Sequence, residues 1–338
     1  MPFARAKWFW VVFFPLSCFW ALLTTVRRRI SVRFKRYKSP LKVICIGNIH
    51  SGGSGKTSVV KTIAERFRGK NTAVLARGYR GELSKKGARV DLDNESGASV
   101  FGDEPWMLAS LLNVPVFIDK NRVRGIKMIE KIFSNGIVIL DDGFQHFPLH
   151  RDLNLVCISA DKKPEDSFCL PLGELREPIS AISFSDAVIL TPGFELSGIG
   201  IWRDWLRKNF LATPVFVAQQ EIEGLFSGNK PFEPDPSATL FSFCGIASPD
   251  RFVSTIQGIH PNSRHLRSFA DHHCYTQRDI ETLLAMVGTE SPHFFVTTDK
   301  DWSKASPFFE RQYKTLVSLR IGYKMTDEFW VWLEKELG

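Results

Sequence analysis

The chain has 338 residues, 44% of them hydrophobic, and carries 44 Lys and Arg against 36 Asp and Glu. That length provides one large or two ordinary domains with ample core, and the apolar and charged fractions are those of a globular protein. The net charge of +8 is local: residues 1–64 hold twelve basic side chains and no acidic one, leaving 32 basic against 36 acidic elsewhere, which excludes a molecule-wide nucleic-acid footprint. Six scattered cysteines form no C-x-x-C pair and no zinc-like spacing with His, so reduced core cysteines of a cytoplasmic protein are expected.

Residues 8–26 carry no charge and are rich in Trp and Phe. As a helix they would measure about 28 Å, close to the hydrocarbon thickness of a bilayer. Seven positive charges follow between Arg27 and Lys38. A cleaved signal peptide fits badly, because the charge lies after the apolar run and no small-residue cleavage site follows. Pro15 would kink a full span. The segment therefore crosses the membrane with the rest of the chain on the cytoplasmic side, lies in the interface, or docks on the body as a soluble helix. The basic stretch would attract a membrane surface with anionic lipids, by about 1 kcal/mol per Lys or Arg.

Leu41–Gly47 is an apolar run that reads as a buried strand, and Ser58–Phe67 has helical apolar spacing. Between them stands His50-Ser51-Gly52-Gly53-Ser54-Gly55-Lys56-Thr57. Strand, glycine-rich turn, Lys-Thr and helix are the setting of a phosphate-binding loop, although strict G-x-x-x-x-G-K-[ST] has Gly where His50 stands. Glycines let backbone N–H groups turn around an anion, and the helix N-terminus adds partial positive charge. Lys56 would reach the β- and γ-phosphates of ATP, and Thr57 would ligate Mg²⁺.

Thr72–Ala76 reads as a second strand, followed by a polar stretch to about Ser99, and Gly102-Asp103-Glu104-Pro105 opens a helix to Leu112. Two carboxylates there serve the helix dipole in the plain reading. A strand over Val114–Ile118 and a helix over Arg122–Phe133 lead to Gly136–Leu140, a hydrophobic strand ending in Asp141-Asp142-Gly143. That is the form of a Walker B strand, whose carboxylate holds Mg²⁺ or its water, and an Asp-Asp-Gly turn is the plain alternative. Strands at Leu153–Ile158 and Ala187–Leu190 continue the alternation. The expected fold is α/β: a P-loop NTPase-like, mostly parallel sheet with helices on both faces and ligands at the strands' C-terminal edge.

Beyond a helix at Trp202–Phe210 and a strand at Pro214–Ala218, Gly228–Pro236 reads as a linker or surface loop. Strands at Thr239–Cys244, His293–Thr297 and Thr315–Leu319 alternate with helices at Asp250–Gln257, Asp279–Val287 and Thr326–Leu337. Three regions follow: a membrane-associated helix and basic segment over 1–39, a P-loop domain over 40–212, and a smaller α/β domain over 213–338.

Seven strings in chain order resemble the tetraacyldisaccharide 4′-kinases, the lipid A 4′-kinases of Gram-negative bacteria. They are Gly47-Asn48, Arg77-Gly78-Tyr79, Gly102–Pro105, Asp141-Asp142-Gly143-Phe144-Gln145-His146, Leu175-Arg176-Glu177-Pro178, Asp271-His272 with Tyr275, and Thr298-x-Lys300-Asp301. In that family the position of His50 is commonly not glycine. Phe147-Pro148 depart from it, since basic residues are usual there. The resemblance implies transfer of the γ-phosphoryl of ATP to the 4′-hydroxyl of an acylated glucosamine disaccharide 1-phosphate lipid. It implies a P-loop domain, a smaller domain and a cleft between them, at the cytoplasmic face of the inner membrane, with no obligate protein partner. It implies Lys56 and Mg²⁺ on the phosphates, Thr57, Asp142 and Glu104 on the metal, and Asp141 in support. It further implies Asp103 as the base, paired with His272, and Asn48, Tyr79, Arg122, Gln145, His146, Arg176 and Glu177 toward the sugar and its 1-phosphate.

Two other readings remain open. One is a membrane-recruited P-loop ATPase or GTPase switch, weakened in its GTPase form by the lack of Asn-Lys-x-Asp. The other is a binding module with an inactive P-loop, against which Lys56, Thr57 and Asp142 all stand.

Overall fold

A computed structural model describes residues 7–94, 97–161, 163–192, 197–246, 249–271, 273–287, 293–312 and 315–338. His272, expected beside Asp103, lies outside the described residues. In chain order, α1 (Lys7–Val32), β1 (Lys42–Asn48), α2 (Lys56–Arg66) and β2 (Thr72–Ala76) come first. Next are β3 (Ala88–Arg89), α3 (Gly97–Phe101), α4 (Asp103–Leu111) and β4 (Val116–Ile118). The series α5 (Arg122–Glu130), β5 (Ile137–Asp141), β6 (Leu153–Ser159), β7 (Ala187–Thr191), α6 (Ser197–Asn209) and β8 (Val215–Val217) follows. After it run β9 (Gln219–Ser227), β10 (Lys230–Pro231), β11 (Thr239–Cys244), α7 (Pro249–Ile259), β12 (Ser263–Ser268) and α8 (Gln277–Val287). The chain closes with β13 (His293–Thr298), α9 (Asp299–Arg311), β14 (Leu316–Lys324) and α10 (Asp327–Leu337).

These elements form two compact units. The first comprises residues 1–77, 119–220 and 323–338, and the second comprises 78–118 and 221–322. The division differs from contiguous domains bounded at residues 39 and 212. The segment 78–118 leaves the first unit because α4 packs on α9 and the Asn229 side chain donates to the Ser110 carbonyl. These are partners more than a hundred residues away, which no local pattern announces.

The first unit holds the parallel run β2-β5-β1-β6-β7-β8. Its central strand β1 is buried from Val43 to Asn48, as expected where parallel strands are covered on both faces. One face packs Ile49, Phe144, Val156, Ile158, Val188 and Leu190 under Trp202 and Leu206 of α6. The fold class is the α/β one expected.

Helix α1 belongs to this first unit. Trp10 packs edge-on against Phe168, Ser17 donates to the Cys169 carbonyl at 2.7 Å, Ala21 packs on the core, and Arg28 pairs with Glu177. Positions 10, 17, 21 and 28 form one helical stripe. The other faces leave Val11, Phe19, Leu22, Leu23 and Ile30 exposed. The helix thus lies along its unit for most of its length, with Pro15 inside it.

In the second unit β14, β13, β11 and β12 run parallel. Phe241 and Phe243 of β11 face α8 and α9, while Leu240 and Cys244 face α7, the two-residue alternation of a strand. Gly228, expected in a linker, is the turn of the antiparallel pair β9–β10. Helix α9 was not anticipated from the sequence, because Pro307 lies inside it and its first turn is polar.

Candidate active site

The register of the first sheet assembles the phosphate-loop region. Strand β1 pairs with β5 so that Ile46 stands opposite Asp141. The loops leaving the two strands therefore start side by side, at the crevice where open α/β sheets bind ligands. The Asp142 N–H donates to the Ile46 carbonyl at 2.9 Å, and Asp142 adopts φ 50°. This turns its carboxylate off the strand line and into reach of Lys56 and Arg176.

The loop itself has the backbone its glycines permit. Gly52 has φ 124° and Gly55 has φ 69°, the latter capping α2. Lys56 and Thr57 are the first two residues of that helix, where free N–H groups and the dipole favour an anion. Asn48 is fully buried, and its amide donates to the Ser54 hydroxyl at 2.9 Å. Thr191 at the end of β7 donates to the Ser54 carbonyl at 3.1 Å. His50 pairs with Leu175 and is buried, packing edge-on against Trp202. Its ring thus serves the loop's foundation.

Three charges converge at Asp142. Its carboxylate lies 3.6 Å from the Lys56 ammonium and accepts from Arg176 at 3.0 and 3.1 Å. Burial alone would raise this carboxyl, but Lys56 and Arg176 outweigh it and hold it below the usual carboxylate range. Asp142 is therefore an anion at neutral pH.

Arg122 is buried, and its guanidinium donates to the carbonyls of Asp119 at 2.6 Å and Asp141 at 3.1 Å. Desolvation brings this guanidinium down to about 10. These bonds tie the start of α5 to the end of β5. Asp141 is itself buried. Gln145 donates to the Asn48 carbonyl at 2.9 Å. Burial, together with the positive charges of Arg122, Arg151 and Arg27, pushes His146 down to about 4, so it is neutral at pH 7. Glu177 is buried against Arg28, with Arg28 Nε donating at 2.6 Å. Burial pushes that carboxyl up, against the pull of its arginine.

The second unit carries Asp103, Glu104 and Tyr79. Asp103 and Glu104 open α4 behind Gly102, whose φ is 94° and whose added Cβ would meet the Tyr79 carbonyl at 2.7 Å. Glu104 and Tyr79 are exposed, and Asp103 is half-buried. Lys304 was not anticipated. Its buried ammonium donates to the His273 carbonyl at 2.8 Å and lies 3.6 Å from Asp103 and 3.5 Å from Asp301. The string Thr298-x-Lys300-Asp301 explains how it gets there. Thr298 caps α9, accepting from the Asp301 N–H at 3.1 Å, and buried Asp301 accepts from the Gly245 N–H at 2.8 Å. The cap fixes the helix that carries Lys304 one turn later. Lys300 pairs with Asp271 at 3.1 Å.

Among the described residues no cluster of three or more His, Cys, Asp or Glu could hold a metal by itself. The hard oxygens of Thr57 and Asp142 suit Mg²⁺, which is commonly held by one or two carboxylates with waters and substrate phosphates completing the shell.

Comparison with known proteins gives a consistent result. The model of the tetraacyldisaccharide-1-P 4′-kinase family, LpxK, matches residues 9–338. The tetraacyldisaccharide 4′-kinase of Syntrophobacter fumaroxidans is 37% identical over 289 residues, covering 82% of this chain and 75% of that one. The corresponding protein of Francisella tularensis subsp. novicida is 34% identical over 297 residues, covering 83% and 86%. A crystal structure of LpxK from Aquifex aeolicus in complex with ATP aligns with a TM-score of 0.77 at 27% identity, over 96% of both chains.

Proposed function

Because the chain belongs to the family of tetraacyldisaccharide-1-P 4′-kinases, we propose a residue-level account of how it phosphorylates its lipid. It is an ATP-dependent, membrane-associated kinase whose acceptor is the 4′-hydroxyl of a tetraacyldisaccharide 1-phosphate. The observation that carries the account is the meeting of Lys56, Arg176 and Asp142 at the mouth of the glycine-rich loop.

The loop N–H groups and Lys56 take the β- and γ-phosphates of ATP. Thr57 and Asp142 would hold Mg²⁺, with Glu104 assisting, and the bound ion would neutralise charge on the phosphate oxygens. Since phosphoryl transfer proceeds through a loose transition state, positioning and charge neutralisation supply most of the rate. Arg176 Nη1 reaches both oxygens of Asp142 and fixes its carboxylate. Arg122 and Asp141 hold the strand end beneath it. Asp103 accepts the proton of the 4′-hydroxyl, with His272 as its partner, and Lys304 keeps its carboxylate in one orientation. Asn48, Tyr79, Gln145, His146 and Glu177 receive the sugar and its 1-phosphate.

Helix α1 lies in the membrane interface of the inner membrane, apolar side down, with the rest of the chain on the cytoplasmic face. Its exposed Val11, Phe19, Leu22, Leu23 and Ile30 support that placement, together with the basic run from Arg27 to Lys38.

The test is transfer of labelled γ-phosphate from Mg-ATP to purified tetraacyldisaccharide 1-phosphate. A labelled bisphosphorylated lipid, absent with Lys56→Ala, is the expected result. Label released only as free phosphate would replace this account with an ATPase.

A further inference from the structure

Residues Glu174–Glu177 form neither helix nor regular strand, yet they touch everything that matters at the phosphate loop. The Ser51 N–H donates to the Glu174 carbonyl and the Arg176 N–H to the Ile49 carbonyl, both at 2.7 Å. The Arg176 guanidinium holds both oxygens of Asp142. Gln145 donates to the Asn48 carbonyl at 2.9 Å. Leu175 exchanges backbone bonds with Phe168 and Leu170, and the rest of the strap stays where its partners put it.

Those partners include helix α1. The Trp20 indole N–H donates to the Arg176 carbonyl at 3.0 Å. Arg28 donates to the Glu177 carboxylate at 2.6 Å and to the Phe144 carbonyl at 3.3 Å. Its guanidinium also lies over the rings of Phe144 at 4.1 Å and Phe147 at 4.9 Å. Phe144 and Phe147 flank the loop that begins at Asp142. Phe147 is a buried aromatic platform for an arginine of α1. The anchor helix therefore grips both the strap and the Asp142 loop from behind.

We propose that Trp20 and Arg28 are positioning residues of the kinase: they act through Arg176, Glu177 and Phe144 to set the Asp142 carboxylate beside the glycine-rich loop. The proposal rests on the assignment of Asp142 to the metal and deepens it. Membrane attachment and catalysis then share one helix, its outer residues serving the lipid surface and its inner stripe serving the site.

The test uses the full chain bound to vesicles of phosphatidylethanolamine and phosphatidylglycerol. Trp20→Phe removes one donor and keeps the ring; Arg28→Lys keeps the charge; Arg28→Met removes it. Val331→Ala, on the exposed side of α10 and away from both the site and the membrane face, is the control, and Asp142→Asn is the reference for the metal assignment. Because small misplacements of reacting groups are costly, Arg28→Met is expected to lower kcat about 100-fold and Trp20→Phe about tenfold, with KM for the lipid within about threefold. Arg28→Lys should recover part of the loss. A second readout is the Mg²⁺ concentration that half-saturates binding of a non-hydrolysable ATP analogue. It should rise in all three variants and stay constant in Val331→Ala. Folded, vesicle-bound Trp20→Phe and Arg28→Lys with wild-type kcat and Mg²⁺ dependence would overturn the proposal. So would a fall in kcat that follows lost thermal stability while the Mg²⁺ dependence stays fixed. An inactive Asp142→Asn beside unaffected α1 variants would sink the brace alone. A fully active Asp142→Asn would sink the metal assignment and the brace with it.

Discussion

Asp103 and Lys304 are joined only by the fold, two hundred residues apart in sequence, and they set the chemistry of the second unit. A carboxylate that takes a proton in the transition state contributes roughly 10²–10⁴ in rate. Asp103→Asn should therefore lose at least about 100-fold in kcat with ATP affinity retained; a variant within tenfold of wild type would remove Asp103 as the base. His146 gives a different readout. Its folded form titrates at about 4, while an unfolded histidine titrates at about 6.5. Below pH 6.5 the unfolded chain binds a proton that the folded chain refuses, so this residue costs stability progressively from pH 6.5 to 4. His146→Gln should flatten the fall in melting temperature across that window, and an unchanged slope would contradict the shift. The glycine-rich turn into a helix at Lys56-Thr57 and the buried strand ending at Asp141-Asp142 were legible in the sequence, because both are contiguous strings with a mechanical meaning. Lys304, Trp20 and Arg28 were not, because their partners other than Asp301 lie 31 to 201 residues away and no periodicity encodes a tertiary pair.

Elements meet in this protein where side chains are absent. At Gly47, near the end of β1, an added Cβ would stand 2.4 Å from Phe144 Cβ and 3.0 Å from its backbone nitrogen. The Asp142–Phe144 turn crosses the strand end at van der Waals contact, and only hydrogen fits between them. Gly47→Ala must therefore push that turn away. It should cost about 1–3 kcal/mol, as overpacking does, and depress kcat further by shifting Asp142. Chemical denaturation alongside kinetics would check this, and full stability with full activity would refute the close approach. Strands were well read from sequence because buried parallel strands are unbroken apolar runs. Helix α9 and edge strand β12 were not. The first carries a proline inside, and the second is largely exposed and rich in Ser, Arg and His, so neither shows the apolar period that marks a buried element.

At the scale of the molecule, the basic charge and the exposed apolar side of α1 fall within the first 38 residues. Phe19, Leu22 and Leu23 each bring about 1.5–3 kcal/mol when taken from water. Replacing all three by Asn should weaken vesicle binding at least about 10³-fold with little change in melting temperature, because they are exposed. Sedimentation with vesicles measures it; undiminished binding would discard the interfacial placement. Removing α1 outright is a different experiment. It uncovers the core that Ala21 covers and removes the buried Arg28–Glu177 pair. Truncation should therefore yield an unstable protein and not simply a released one. The division into units was only partly legible, since composition changes little where the chain passes from one unit to the other at residues 77, 118, 220 and 322.

The pairing of Arg28 with Glu177 also sets an order of events during synthesis. The two residues are 149 positions apart, which at a ribosome's usual pace separates their appearance by roughly 10 s. For that interval the oily N-terminal helix exists without the surface it later covers. On the interfacial placement proposed for α1, a nascent chain would meet a lipid partner before it has an internal one.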